Sequence, residues 1–362
     1  MCLDSKAYFV IEVSLRIFFI SPVILIFEYI KILIMRSILN YSDVFKILVE
    51  ETRNYLVENG LKAMVLGISG GIDSTIVAAI CHEVNKLEPN IKFRGISMPI
   101  KNKKDEFDSS VIVGNAFCGE NFEVFELGDT YRLVSQDFIE AKRAYSIKTE
   151  GCVITEVKTP ISEGNIQARL RMMYLYDIAS LEKGIVFSTD NATEYNLGFW
   201  TLHGDVGDFN PLFGLWKSEV FELAKWLMTD YYSSDLDKSN AISVSLKLIP
   251  TDGLGISESD LEQIGGKSYE EVDGILQEIL AWKYLMNGKE ELYGKTPKEQ
   301  RDMFLDFQQM LDTDINTIIK VADRHFASEF KRKNLPIVIE RGEYLPETMY
   351  GFIPELVPTG KG

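Results

Sequence analysis

The sequence predicts an α/β fold, a doubly wound parallel sheet with helices on both faces, and three observations carry that prediction. "KAMVLGIS" (62–69) is a continuous apolar run of strand length, the pattern of a strand buried on both sides. Runs of this kind alternate along the chain with segments of helical period, which is how parallel sheets are wound. Two adjacent glycines, Gly70 and Gly71, stand at the first junction between such a run and a helix, and ligands of open parallel sheets gather at the carboxyl ends of the strands.

Taken in order, Val44, Ile47, Leu48, Tyr55 and Leu56 fall near helical spacing and Asn59-Gly60 closes that first helix. The strand at 62–69 runs into the helix "STIVAAICHEVNKL" (74–87), a second strand is expected at "FRGISMP" (93–99) and a weaker third at "NFEVFEL" (121–127). "KNKKDEFDSS" (101–110) reads as a solvated loop running into a helix start. In "EGNIQARLRMMYLYDIASLEKG" (163–184), Ile166, Leu170, Met173, Tyr174, Ile178 and Leu181 share one helix face that ends at Gly184. "IVFST" (185–189) is the next strand, a loop with Asn191 and Glu194 follows, and "KSEVFELAKWLM" (217–228) is a helix. Beyond about residue 235 the chain turns helical and polar as far as Phe330.

Composition limits the function. With 38 Lys plus Arg against 54 Asp plus Glu, the net charge is −16, and no stretch concentrates enough cations for a phosphate backbone, so no nucleic-acid partner is expected. Cys2, Cys81, Cys118 and Cys152 form no CxxC pair and accompany only three histidines, the usage of a cytoplasmic protein with reduced thiols and no zinc. "IFFISPVILIF" (17–27) is flanked by Arg16, Glu28 and Lys31 and falls short of the ~20 apolar residues of a membrane span. Residues 1–36 are therefore read as a leader outside the fold, 37–345 as one domain, and 346–362 as a tail. Cys2 could be a glutaminase nucleophile only with a whole domain behind it, and about 60 residues separate it from the glycine motif.

The loop "GISGGIDSTIVAA" (67–79) lets backbone N–H groups approach an anion at a helix start. It lacks both the GxxxxGK[ST] spacing and the GxGxxG pattern. Ser69, Ser74 and Thr75 add hydroxyls, and Asp73 in the first helical turn can hold magnesium, a set suited to pyrophosphate leaving from ATP. The competing explanation is a plain helix cap. Ser69, Gly70, Gly71, Ile72, Asp73 and Ser74 match the "SGGxDS" loop of the N-type ATP pyrophosphatases, which the sequence resembles here. "EGNIQARLRM" (163–172), "STDNATEYNLGFWTLHGDVGDFNPLFGLWK" (188–217), "IPTDGL" (249–254), "SYEEVD" (268–273) and "FKRKNLP" (330–336) then resemble the NAD synthetases in the same order, from about Ser42 to Pro336, and the resemblance leaves a helical insertion near 287–313 outside it.

The resemblance implies an adenine nucleotide α-hydrolase-like fold and ATP-dependent amidation of deamido-NAD by ammonia, through an acyl adenylate, with release of AMP and pyrophosphate. It assigns Gly67, Ile68, Ser69, Gly70, Gly71, Ile72, Asp73, Ser74, Thr75, Thr189, Lys217 and Thr251 to ATP, with Asp73 and Lys217 catalytic. Asp73 and Glu194 would hold Mg2+, and Arg169, Asp208 and Lys331 would hold the dinucleotide. Blander roles stand beside these: Asp73 and Glu194 as solvated acids, Lys217 as a surface lysine, Arg169 snorkelling past a core, and Asp208 as a turn residue. A homodimer is implied, with glutamine usable only through a separate glutaminase. The pattern is broken at Leu202 and Phe330, where the family has a lysine and a histidine at the acceptor, at Asn191, where it has a histidine, and by a missing glycine between Asp205 and Asp208. An amidating relative with a different carboxylate and a silent nucleotide binder are the alternatives; retention of Asp73, Glu194 and Lys217 weighs against the latter.

Overall fold

The computed structural model describes residues 40–148, 160–251, 259–286, 290–307 and 313–332. The expected leader and tail lie outside the described residues. Four strands, β1 (Ala63–Gly67), β2 (Lys92–Ser97), β3 (Phe122–Val124) and β4 (Ile185–Val186), form one sheet in the order β3-β2-β1-β4. Every pairing is parallel, with Gly67 opposite Ile96, Val65 opposite Val186 and Ile96 opposite Glu123. The chain therefore builds outward from β1 through β2 to β3, then returns to the other side of β1 for β4. That reversal makes a crevice between the carboxyl ends of β1 and β4, where an open parallel sheet takes its ligand.

Helices cover both faces, as β1 shows residue by residue. Met64 and Leu66 enter one apolar cluster together with Phe45, Ile76, Ile80 and Leu223, while Ala63 and Val65 enter another with Met98, Leu170, Leu175 and Val186. The first layer holds α1 (Tyr41–Glu58), α2 (Ile72–Leu87), α3 (Lys104–Cys118), α7 (Lys217–Trp226) and α8 (Leu236–Lys247). The second holds α4 (Gly128–Lys148) and α5 (Pro160–Glu182). A third cluster gathers the end of α6 (Ala192–Leu197), α9 (Asp260–Ile264), α10 (Tyr269–Met286), α11 (Pro297–Phe307) and α12 (Ile315–Ala327) around Trp282, Phe304 and Phe326. Part of the stretch set apart as an insertion thus shares a core with its neighbours, since Phe304 lies on α11.

Two helix faces differ from expectation. In α1 the buried stripe is Phe45, Val49, Thr52 and Leu56, and Ile47 and Tyr55 are exposed. Thr52 can occupy that stripe because its hydroxyl donates to the Leu48 carbonyl at 2.6 Å, which removes the cost of an unpaired buried donor. In α5 the buried residues include Leu170, Met172, Leu175 and Ala179, whereas Met173 and Leu181 are 60% and 77% exposed. There the helix is turned so that Leu175 approaches Gly67 and Arg171 Nε donates to the Met98 carbonyl at 3.0 Å. The third and fourth strands are shorter than their apolar runs, and residues 104–110 of the expected loop already belong to α3.

Candidate active site

The glycine loop leaves β1 still tied to the sheet, with Ile68 N–H donating to the Ile96 carbonyl at 2.8 Å. Gly70 has φ +86°, and a Cβ there would lie 2.6 Å from both the Glu106 carbonyl oxygen and the Ser110 nitrogen. Ser109 Oγ donates to the Gly70 carbonyl at 2.8 Å. The loop is thus held against α3 by an approach only glycine permits. Gly71 caps α2, and its carbonyl accepts from Ser74 Oγ at 3.0 Å and Thr75 Oγ1 at 2.9 Å. Of the hydroxyls expected at ATP, Ser69 is exposed, Ser74 is buried, and Thr75 is buried against Ser245 Oγ at 2.7 Å. The Ile68 and Ile72 side chains lie in the core, which leaves their backbone atoms for a ligand.

Across the crevice the loop after β4 brings Asn191 to the start of α6, where its Oδ1 accepts from Glu194 N–H at 3.0 Å. Its Nδ2 donates to Asp73 Oδ1 at 2.9 Å. Lys217, the first residue of α7, places Nζ 2.5 Å from Asp73 Oδ2 and 2.9 Å from Glu194 Oε1, and its side chain is only 3% exposed. Glu194 Oε2 accepts from Asn191 N–H at 3.3 Å. All four carboxylate oxygens of Asp73 and Glu194 are therefore engaged by Asn191 and Lys217. The solvated-acid and surface-lysine alternatives do not describe this cluster.

Charge states follow from that packing. Burial alone would lower the Lys217 ammonium; Asp73 and Glu194 more than offset it and hold the group well above its ordinary value. Burial pushes the Glu194 carboxyl up to about 7, with Lys217 pulling it down and Asp73 pushing it up. Sequence reasoning missed two further acids. Asp190 accepts from Ser188 Oγ at 2.7 Å and is held well above the carboxylate range, first by burial and then by Glu194. Asp205 accepts from Thr201 N–H at 2.7 Å and is also raised by burial.

The expected acceptor residues divide into two places. Arg169 Nη2 donates to the Leu202 carbonyl at 3.0 Å, and Lys331 Nζ donates to the Gly198 and Trp200 carbonyls at 2.7 and 2.5 Å. Both cations thus grip the loop 198–205. Asp208 sits apart, accepting from Tyr176 Oη at 2.8 Å and from Val186 N–H at 3.1 Å, so it closes the end of β4. Thr189 is half-buried beside Asp190, and Thr251, also half-buried, is at the edge of the described residues. Asn191 stands out in the sequence only as a departure from a pattern, and no local signal shows its bond to a residue 118 positions away.

A parallel sheet whose switch point carries a glycine loop on one side and a lysine held by two carboxylates on the other defines a nucleotide-binding α/β enzyme of the adenine nucleotide α-hydrolase-like fold. Solved structures share the fold: the NMN synthetase from Francisella tularensis (TM-score 0.58, 23% identity, 84% of this chain and 99% of that one) and the NH3-dependent NAD synthetase from Campylobacter jejuni (0.52, 22%, 83% and 100%). The NH(3)-dependent NAD(+) synthetase of Alkaliphilus metalliredigens is 32% identical over 226 residues, 62% of this chain and 82% of that protein. The NAD synthase family model matches residues 44–334, and the chain belongs to that family. Membership makes it a ligase of NAD formation that closes a carbon–nitrogen bond.

Proposed function

We propose that the chain amidates deamido-NAD to NAD, adenylating the nicotinate carboxylate with ATP and using free ammonia to displace AMP. The observation that carries this reading is Lys217 seated between Asp73 and Glu194 opposite the glycine loop. Its ammonium is charged, buried and on the first turn of α7, so it can turn from the carboxylates to neutralise charge growing on the α-phosphate and the leaving pyrophosphate. The backbone of Ser69–Ser74 and the start of α2 receive that pyrophosphate. Arg169 and Lys331 fix the loop 198–205 and with it the acceptor, so that carboxylate and α-phosphate meet in line. No residue of the chain needs to form a covalent bond to substrate.

Asp73 and Glu194 fit magnesium. Both are hard oxygen donors, and once Lys217 turns toward the phosphates their oxygens are free of its ammonium, which leaves two carboxylates for an ion that takes its remaining ligands from phosphate and water. When bound, magnesium would supply charge neutralisation at the phosphates. Glu194, raised to about 7, favours its proton in the folded state: that contribution to stability is complete below the ordinary carboxylate value and is lost as pH rises through 7. The same proton competes with the cation. Half-saturating magnesium in a pyrophosphate-release assay is therefore expected to rise as pH falls, approaching about tenfold per pH unit below 7. Glu194→Gln should remove this pH dependence and weaken magnesium use throughout; an unchanged magnesium requirement in that variant would take Glu194 out of the metal site.

Leu202 and Phe330 bear on the acceptor. Phe330 is 55% exposed next to Lys331, and Leu202 offers Arg169 its carbonyl. Restoring polar groups with Leu202→Lys and Phe330→His is expected to lower the KM for deamido-NAD roughly tenfold, in line with one regained charged hydrogen bond, and to leave that for ATP unchanged. Equal changes for both substrates would contradict a role at the acceptor. The same departures favour a second reading, amidation of another carboxylate. Release of AMP and pyrophosphate with deamido-NAD, nicotinate mononucleotide and simple carboxylates, each with and without ammonia, separates the two readings.

A homodimer in the cytoplasm completes the proposal. Arg169, Met173 and Tyr176 share the outer face of α5, where Met173 and Tyr176 are exposed. An apolar face beside an acceptor residue suits burial against a second copy. No helix among the described residues is long and apolar enough to cross a membrane. Glutamine would serve only through a separate glutaminase.

A further inference from the structure

Lys217 and Glu194 lie on different helices, α7 and α6, and something must hold those helices in register. The group that reaches both is Asp273, a wholly buried carboxylate on α10. Its Oδ1 accepts from Thr193 Oγ1 at 2.5 Å and its Oδ2 from Ser218 N–H at 3.0 Å. Thr193 Oγ1 in turn accepts from Lys217 N–H at 2.8 Å. Thr193 and Ser218 are the chain neighbours of Glu194 and Lys217, so one carboxylate fastens the backbone on both sides of the ion cluster. Placement at the start of α7 suits it, because the first amides of a helix lack partners within the helix and carry partial positive charge. One turn earlier on the same face of α10, the Tyr269 ring faces Lys217 Nζ at 5.8 Å and stacks on Phe221 of α7.

We infer that Asp273 is a positioning residue for the adenylation step, setting the separation of Lys217 and Glu194 through Thr193 and Ser218. This rests on the reading of Lys217 given above. Asparagine at 273 keeps the size and can keep the bond from Ser218 N–H, but it turns an N–H donor toward Thr193 Oγ1, which already accepts from Lys217 N–H, and it removes the negative charge that strengthens both bonds. Helix α10 also packs in the third core cluster, and through Asp273 that cluster is joined to the charged groups of the crevice.

The test is a double-mutant cycle on the full chain. Asp273→Asn is expected to lower kcat by roughly ten- to a hundredfold, as misplacement of a reacting group does, with the KM for deamido-NAD within about twofold. In a Lys217→Met background the same change should lower kcat by less than about twofold, because its effect passes through the lysine. A general weakening of the fold would lower both backgrounds by the same factor, and that result overturns the proposal. Should Asp273→Asn fail to fold, Thr193→Val against Thr193→Ser carries the test: serine should retain most of kcat and valine should lose it. Equal kcat in those two variants would also overturn it. Wild-type kcat in Lys217→Met sinks the reading of the lysine itself, whereas loss there beside wild-type kcat in Asp273→Asn sinks the positioning role alone.

Discussion

Lys217→Met is expected to lower the kcat of NAD formation about a hundred- to a thousandfold, the scale seen when one buried group that stabilises transition-state charge is removed. Methionine fills much the same space, so the helix start should survive, although the cation that faces the Tyr269 ring is lost. What disappears is the cation 2.5 Å from Asp73 and 2.9 Å from Glu194. Two carboxylates are then left facing each other in a mostly enclosed crevice. Glu194, already raised to about 7, takes up a proton and limits the damage to stability, and the fold should persist with a lowered melting temperature. Lys217→Arg is not expected to rescue, because a guanidinium is larger than the ammonium it replaces and holds its charge in a planar fork. Steady-state NAD formation alongside thermal denaturation checks both parts. Near-normal kcat in a folded Lys217→Met protein would leave the ion cluster without a catalytic role.

The second large effect separates two glycines that look equivalent in the sequence. Gly70 combines φ +86° with backbone atoms of Glu106 and Ser110 at 2.6 Å from a would-be Cβ, and neither backbone group can swing aside as a side chain would. Gly70→Ala is therefore expected to cost on the order of 3 kcal/mol, from left-handed backbone and overpacking together. That corresponds to a melting temperature lower by roughly 5–10 °C. Gly71 has φ −73°, and the nearest atom to its would-be Cβ is Ser69 Oγ at 3.4 Å. Gly71→Ala should hold its stability and weaken ATP instead, since it adds a methyl where the loop meets phosphate. Equal melting temperatures for the two variants would contradict this division.

Legibility in the sequence followed the range of the interactions. The strand before Gly67 and the helix after Gly71 could be read because a buried parallel strand is apolar at every position and the glycines punctuate it. The rotational phase of α1 could not, because Thr52 is polar by type and becomes apolar in effect only through its bond to Leu48. Helix α4 went unread because "GDTYRLVSQDFIEAKRAYSIK" mixes charge with exposed Leu133 and Phe138 and shows little periodic contrast. Asp73, Glu194 and Lys217 were legible as parts of motifs, although 144 residues separate Asp73 from Lys217. Their arrangement was not: that Lys217 would sit between the two acids depends on the switch point bringing β1 and β4 side by side. Asn191 and Asp273 exert their effects across 118 and 80 residues through buried hydrogen bonds, which leave no local trace.

The central claim is that Lys217, Asp73 and Glu194 serve adenylation of a carboxylate, and its most direct test follows one oxygen. Deamido-NAD labelled with heavy oxygen in the nicotinate carboxylate is incubated with the purified chain, ATP, magnesium and ammonia, and the products are weighed by mass spectrometry. Attack of the carboxylate on the α-phosphate makes a bond from the labelled oxygen to that phosphorus; ammonia then breaks the acyl carbon–oxygen bond and leaves the label on AMP. The account predicts one labelled oxygen in AMP, none in pyrophosphate, and loss of that labelled AMP in Lys217→Met. Label in inorganic phosphate with ADP as the nucleotide product would contradict it, because the crevice would then activate its acceptor through the terminal phosphate.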